Sequence, residues 1–235
     1  LGTGDSSEGP AGNIEITAGS SEKSTGGNVR VRSGGNEFGK SGEISLQTSD
    51  NQNDKSGSIK LSTGMSRELS GNLMVLTGST IQRSGNIFVS SGKSGEGPGG
   101  EILIQGGASE SLTGGRVQLI SGSSDIGSSG SIHIGTSDGT GEKSRSGSML
   151  INTGTSSNGP SGDVIISSGN AKYGSTGAIY LSTGSSSAGF GGSSSIKLIA
   201  GSTTSQTRNG GNIYLEGGNA MTSSSTGGSV NFLAG

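Results

Sequence analysis

The chain is 235 residues long, with 50 Gly, no Cys, no Trp and a hydrophobic share of only 26%, a composition that taken alone describes a low-complexity polymer. Its net charge of −2 offers no basic face to nucleic acid. The absence of Cys excludes disulfide staples, and no apolar run reaches the ~18 residues of a membrane span.

Read from the N-terminus, the chain keeps a register that a disordered polymer has no reason to hold. With the recurring Gly as place 1, places 3 and 5 read Ile14/Ile16, Val29/Val31, Ile44/Leu46, Ile59/Leu61, Leu73/Val75, Ile87/Val89, Ile102/Ile104 and Val117/Leu119. They continue as Ile132/Ile134, Met149/Ile151, Val164/Ile166, Ile179/Leu181, Ile196/Leu198, Ile213/Leu215 and Val230/Phe232. These are fifteen repeats whose first places step by 14, 15 or 17 residues, and all thirty places are large and apolar. Leu1 fits place 5 of a preceding repeat. The chain has no initiator Met, and the sequence reads as one continuous segment over 1–235, a window of a longer repeat protein.

Each repeat opens on an alternation of period two, and most of its apolar residues are Ile or Val, which predicts a strand of about five to seven residues. Gly at place 8 and a Ser/Gly-rich return follow. Pro10, Pro98 and Pro160 each stand two residues before place 1. Proline cannot donate to a sheet ladder, so this position is a turn.

A return of about eight residues is too short for a crossover helix. A hairpin meander would reverse direction at each repeat, whereas the pattern always runs the same way. The expectation is therefore an all-β fold: a single-stack parallel β-solenoid, or β-helix, of about 15 short coils with a thin apolar seam two residues wide per coil. Places 3 and 5 would fill the seam, whose thirty side chains would contribute roughly 45–90 kcal/mol if fully buried. Small residues at place 7, such as Ala18, Ser33, Thr48 and Thr63, would close its narrow edge. Glycine would supply positive φ at turns and let opposite walls approach.

Places 4 and 6 should point outward. In the first four repeats they are polar, from Glu15 to Ser62. From the fifth repeat the same face carries Met74, Leu76, Phe88, Leu103, Ile120, Leu150, Ile165, Tyr180, Ile199, Tyr214 and Leu233. Scattered exposed apolar residues are ordinary, but recurrence on one face marks a contact surface. These residues form the candidate lateral interface, and the partners it implies are other copies of the chain or other filament subunits.

The search for chemistry is negative. His133 is the only histidine and stands at an outward place, where an ordinary surface role suffices. No Cys or His cluster matches a zinc site. "GGNEFGKSG" and "TSDGTGEK" lack the repeating aspartates of calcium-binding β-rolls. Asp50 and Asp138 lie about six repeats apart, too far to act as a catalytic pair. Charged returns read as solvation, because exposed ion pairs contribute only about 0–1 kcal/mol. There is no N-x-Ser/Thr sequon, while the return Ser and Thr offer positions for O-glycans. The residues imply no enzyme and no cofactor.

The recurrent phrase in Ser56-Gly57-Ser58-Ile59-Lys60-Leu61-Ser62-Thr63-Gly64 resembles long Gly/Ser-rich β-solenoid repeat proteins of unicellular algae. The resemblance implies an extracellular or cell-surface location and an assembly such as a flagellar hair (mastigoneme), a cell-wall fibre or an adhesive strand. The function expected is a structural segment of an extracellular filament, hair or sheath, assembling laterally through the apolar outer face and end to end through uncapped coils. An ice-binding solenoid would need a flat outward Thr array, and places 4 and 6 are chemically mixed. An adhesive or carbohydrate-binding stalk would need an aromatic groove, and the chain has only four Phe and three Tyr.

Overall fold

The computed structural model describes residues 2–141, 144–186, 194–221 and 224–233. The chain divides into two units, Leu1–Val117 and Gln118–Gly235, and the repeat pattern continues in each. Among the described residues no helix and no β-strand forms. The expected all-β parallel β-solenoid is therefore corrected: the repeats are extended segments joined by bent returns, without a sheet.

The hydrogen bonds give the physical reason. A solenoid requires each segment to exchange backbone bonds with the next repeat. Here the backbone bonds close single returns instead, as in Gly27 N–H to Gly19 C=O at 2.8 Å and Gly42 N–H to Gly34 C=O at 2.9 Å. The donor is place 1 and the acceptor is place 8 of the preceding repeat. The same bond closes 107–115, 122–130, 201–211 and 218–228. Each such return brings its own ends together, the property that defines an Ω-type loop.

Without a sheet there is no core among the described residues. No described side chain is buried. A folded monomer of this mass exposes about 9,600 Å² and its extended chain about 33,000 Å²; this chain exposes 24530 Å². It has thus removed only about a quarter of its extended surface from water. The seam that would have stabilised a solenoid remains open to solvent.

The alternation nonetheless survives locally. Place 3 residues are 43–63% exposed, place 5 residues 62–83%, and the large residues of places 4 and 6 68–94%. Even places face the same way: Thr17 Oγ1 donates to Glu15 Oε1 at 3.1 Å, and Asn212 Nδ2 donates to Tyr214 Oη at 2.9 Å. Both are contacts between residues two apart, as extended backbone requires.

Candidate assembly surface

The tightest packing in the repeat lies between place 1 and place 7, where all the half-buried described residues but Ser94 cluster: Ala18, Ser33, Thr48, Gly106, Ser121, Thr153, Ala200 and Gly217. A Cβ placed on Gly27 would stand 3.2 Å from Ala18 Cβ, and one on Gly57 would stand 3.2 Å from Thr48 Cγ2. Place 1 is glycine because the chain doubles back against place 7 there. The expected use of glycine for positive φ is confined, among the described residues, to Gly174 at 92°.

The returns divide into those closed by a backbone bond and those without one. The bond from place 1 to place 8 forms after Ala18, Ser33, Gly106, Ser121, Ala200 and Gly217. It is missing after Thr48, Thr63, Thr77, Thr136 and Thr153. In these five the threonine Cγ2 sits 3.2–3.8 Å from where a place-1 Cβ would be; the same returns differ in a second respect, since 64–71 and 78–85 are a residue shorter, 49–57 and 137–147 have Ser49 and Ser137 at place 8, and 154–162 contains Pro160. Threonine can bond in another way: Thr3 Oγ1 donates to Gly12 C=O at 2.9 Å, and Thr183 Oγ1 to Ser194 C=O at 3.4 Å. Two returns follow Ser yet lack the bond. One, 92–100, contains Pro98, and the other, 169–177, turns through Gly174.

Inside the return, place 10 organises the bend, a role the sequence reading missed. Ser6, Ser21, Ser94, Ser109, Ser124 and Ser156 each accept, through Oγ, the backbone N–H three residues on, at 2.9–3.1 Å. Asn36 Oδ1 accepts two, from Phe38 at 2.9 Å and Gly39 at 2.8 Å. Asn51 Oδ1 does the same for Asn53 and Asp54. These are Asx- and Ser/Thr-type turns. The signal was present in the sequence as a column of Ser, Thr and Asn two places after place 8.

All eleven residues of the candidate lateral interface are exposed, from Met74 at 68% to Leu233 at 94%. Tyr180 and Ile199 line open hollows together with residues of places 3 and 5, with Lys197, Ala200 and Asn212 also lining one and Ser182 the other. One hollow, of about 990 Å³, places Ile199 with Ile151, Val164, Leu181, Ile196 and Leu198. The other, of about 750 Å³, places Tyr180 with Met149, Ile151, Ile166, Ile179 and Leu181. Both lie within Gln118–Gly235.

A second set of apolar residues was also missed. Phe38, Ile81, Ile126 and Tyr173 stand in the bends of the returns and Met221 in a return, 86–103% exposed. Lys172 Nζ lies 5.4 Å from the centre of the Tyr173 ring. Met65, Leu69 and Leu112 are further exposed apolar residues in other returns, and Phe190 lies outside the described residues.

His133 is exposed. Among the described residues no three His, Cys, Asp or Glu side chains group to hold a metal ion, and no helix is long and apolar enough to cross a membrane. No protein-family model, curated protein or solved structure matches the chain.

Proposed function

We propose that the chain is a structural, non-catalytic segment of an extracellular filament, hair or surface sheath, and that contact with other copies of itself covers its apolar places. One observation carries this reading: thirty regularly spaced apolar side chains, none of them buried. Leaving so much apolar surface in water is unfavourable, and a stable protein–protein interface needs only about 1,200–2,000 Å². The chain holds many times that area in exposed surface. Its net charge of −2 sets little repulsion between copies.

Assembly supplies what the isolated chain lacks, because burial against a neighbour offsets the entropy of ordering a glycine-rich backbone. The place 4 and 6 residues, from Met74 to Leu233, and the exposed residues of places 3 and 5 then act together as contact surface. The test is concentration-dependent sedimentation of the purified chain with electron microscopy of the pellet. Filaments or sheets above a critical concentration are expected. Charging the surface with Phe88→Glu and Tyr180→Glu should raise that concentration. A native chain that remains monomeric up to its solubility limit would refute the reading.

A further inference from the structure

Charge is not spread evenly along the chain. The first 65 residues carry fourteen charged side chains, whereas the 65 residues from Met149 to Ile213 carry four: Asp163, Lys172, Lys197 and Arg208. The outward place 4 shows the contrast position by position. It reads Glu15, Arg30, Ser45 and Lys60 in the first four repeats, and Leu150, Ile165, Tyr180 and Lys197 in the four that begin at 147, 162, 177 and 194. Leu150, Ile165 and Tyr180 are 81–90% exposed.

The charge-poor stretch also gathers apolar side chains. Between Met149 and Ile213, fourteen large apolar residues among those described are 48–90% exposed. Both open hollows lie there, and each takes its walls from successive repeats: Ile151, Val164, Leu181 and Ile196 in one, Met149, Ile166, Ile179 and Ile196 in the other. Polar side chains enter these walls only at Lys197, Asn212 and Ser182. A surface depleted of charge and rich in aliphatic and aromatic groups has the composition of an interface core, whereas charged groups belong to a solvated rim. Covering Leu150 or Ile165 is favourable. Covering Glu15, Arg30 or Lys60 without a partner would cost their hydration.

We propose that copies associate through residues 149–186 and 194–213, packed against the same stretch of a second copy, while residues 2–65 stay hydrated; the chain is a two-block amphiphile. The inference rests on the assembly reading above and deepens it by locating the contact. The occupant is a second copy because the stretch is complementary to itself: apolar side chains meet apolar side chains, and one patch serves both partners. The area suffices. A fully buried apolar side chain removes roughly 60–120 Å² from water. With about two-thirds of each side chain exposed, fourteen on each of two copies cover on the order of 1,000–2,000 Å², the size of a stable interface.

Two full-length variants carry the same added charge at different places, with critical concentration read by sedimentation. The first is Leu150→Glu, Ile165→Glu and Tyr180→Glu; the second is Ser45→Glu, Gln47→Glu and Ser62→Glu. All six positions are exposed, so neither set disturbs a core, and each shifts the net charge equally. The first is expected to raise the critical concentration at least about tenfold, consistent with the loss of buried apolar side chains. The second should change it less than about twofold, as befits charges that remain in water. Hydrogen exchange of native assemblies should show new protection in 149–186 and 194–213, and in 2–65 the rates of the dilute chain. Equal shifts in the two variants, or new protection spread evenly along the chain, would show that the contact is not localised, although the structural reading stands. A larger shift in the second variant would place the contact in the charged stretch and overturn the proposal. A native chain that stays monomeric up to its solubility limit, even if it binds phospholipid vesicles through this stretch, overturns the inference together with the function it rests on.

Discussion

Adding one methyl group should open one return. Ser121 precedes the return 122–130, which is closed by Gly130 N–H donating to Gly122 C=O at 2.9 Å. A Cβ on Gly130 would stand 3.4 Å from Ser121 Cβ, so the space beside this residue is already narrow. Ser121→Thr keeps the hydroxyl and adds the Cγ2 that accompanies an open return after Thr48, Thr63 and Thr77. An exposed backbone hydrogen bond contributes a net ~0.5–1.5 kcal/mol, equivalent to about a 2- to 12-fold change in the population of the closed return. Amide hydrogen exchange followed by NMR reads this directly. The Gly130 amide should exchange faster in Ser121→Thr by about that factor. It should keep its protection in Ser121→Ala, since the returns after Ala18 and Ala200 are closed. Protection retained with Thr, or lost with Ala, would show that the methyl group does not govern closure.

Three further outcomes follow from the same geometry. At low concentration the chain should show no cooperative heat-absorption peak by scanning calorimetry, because no described side chain is buried; a sharp, concentration-independent transition would contradict this. Asn36→Ala should speed exchange of two amides, Phe38 and Gly39, whereas Ser124→Ala should affect Gly127 alone, because Asn36 accepts two bonds and Ser124 one; equal patterns would refute the place 10 assignment. Ile102→Asp and Leu103→Asp should both leave the secondary structure of the dilute chain unchanged by circular dichroism, since both positions are exposed, and both should hinder assembly; loss of ordered signal in either dilute variant would point to a core.

The sequence made the local rule legible and left the pairing rule unwritten. Ile102, Leu103 and Ile104 show the difference. Their alternation predicted that Ile102 and Ile104 fill a buried seam, whereas all three are exposed, Ile102 at 49%, Ile104 at 69% and Leu103 at 74%. Alternation fixes which way neighbouring side chains point, a property of one extended segment. It does not state which backbone groups a segment bonds to, and the solenoid required bonds between repeats that the chain does not make. The small residues of place 7 were recognised as a narrow edge, but Thr48 and Ser121 appeared equivalent there. In the structure the return after Ser121 is closed by a backbone bond and the one after Thr48 is not. Phe38 and Ile126 stand in the returns, outside the alternating places that carry the fifteen-residue pattern.

The pinned returns have a mechanical consequence. Between Gly19 and Gly27 the chain travels eight residues and comes back to within hydrogen-bonding distance. Under tension that single bond bears the load in shear across the neck of the loop. When it parts, it frees about 26–29 Å of contour without breaking any covalent bond or unfolding any core. Each pinned return is therefore a small store of slack. A thread built this way yields in steps and dissipates work at each one. The returns without that bond hold no such slack behind a single contact.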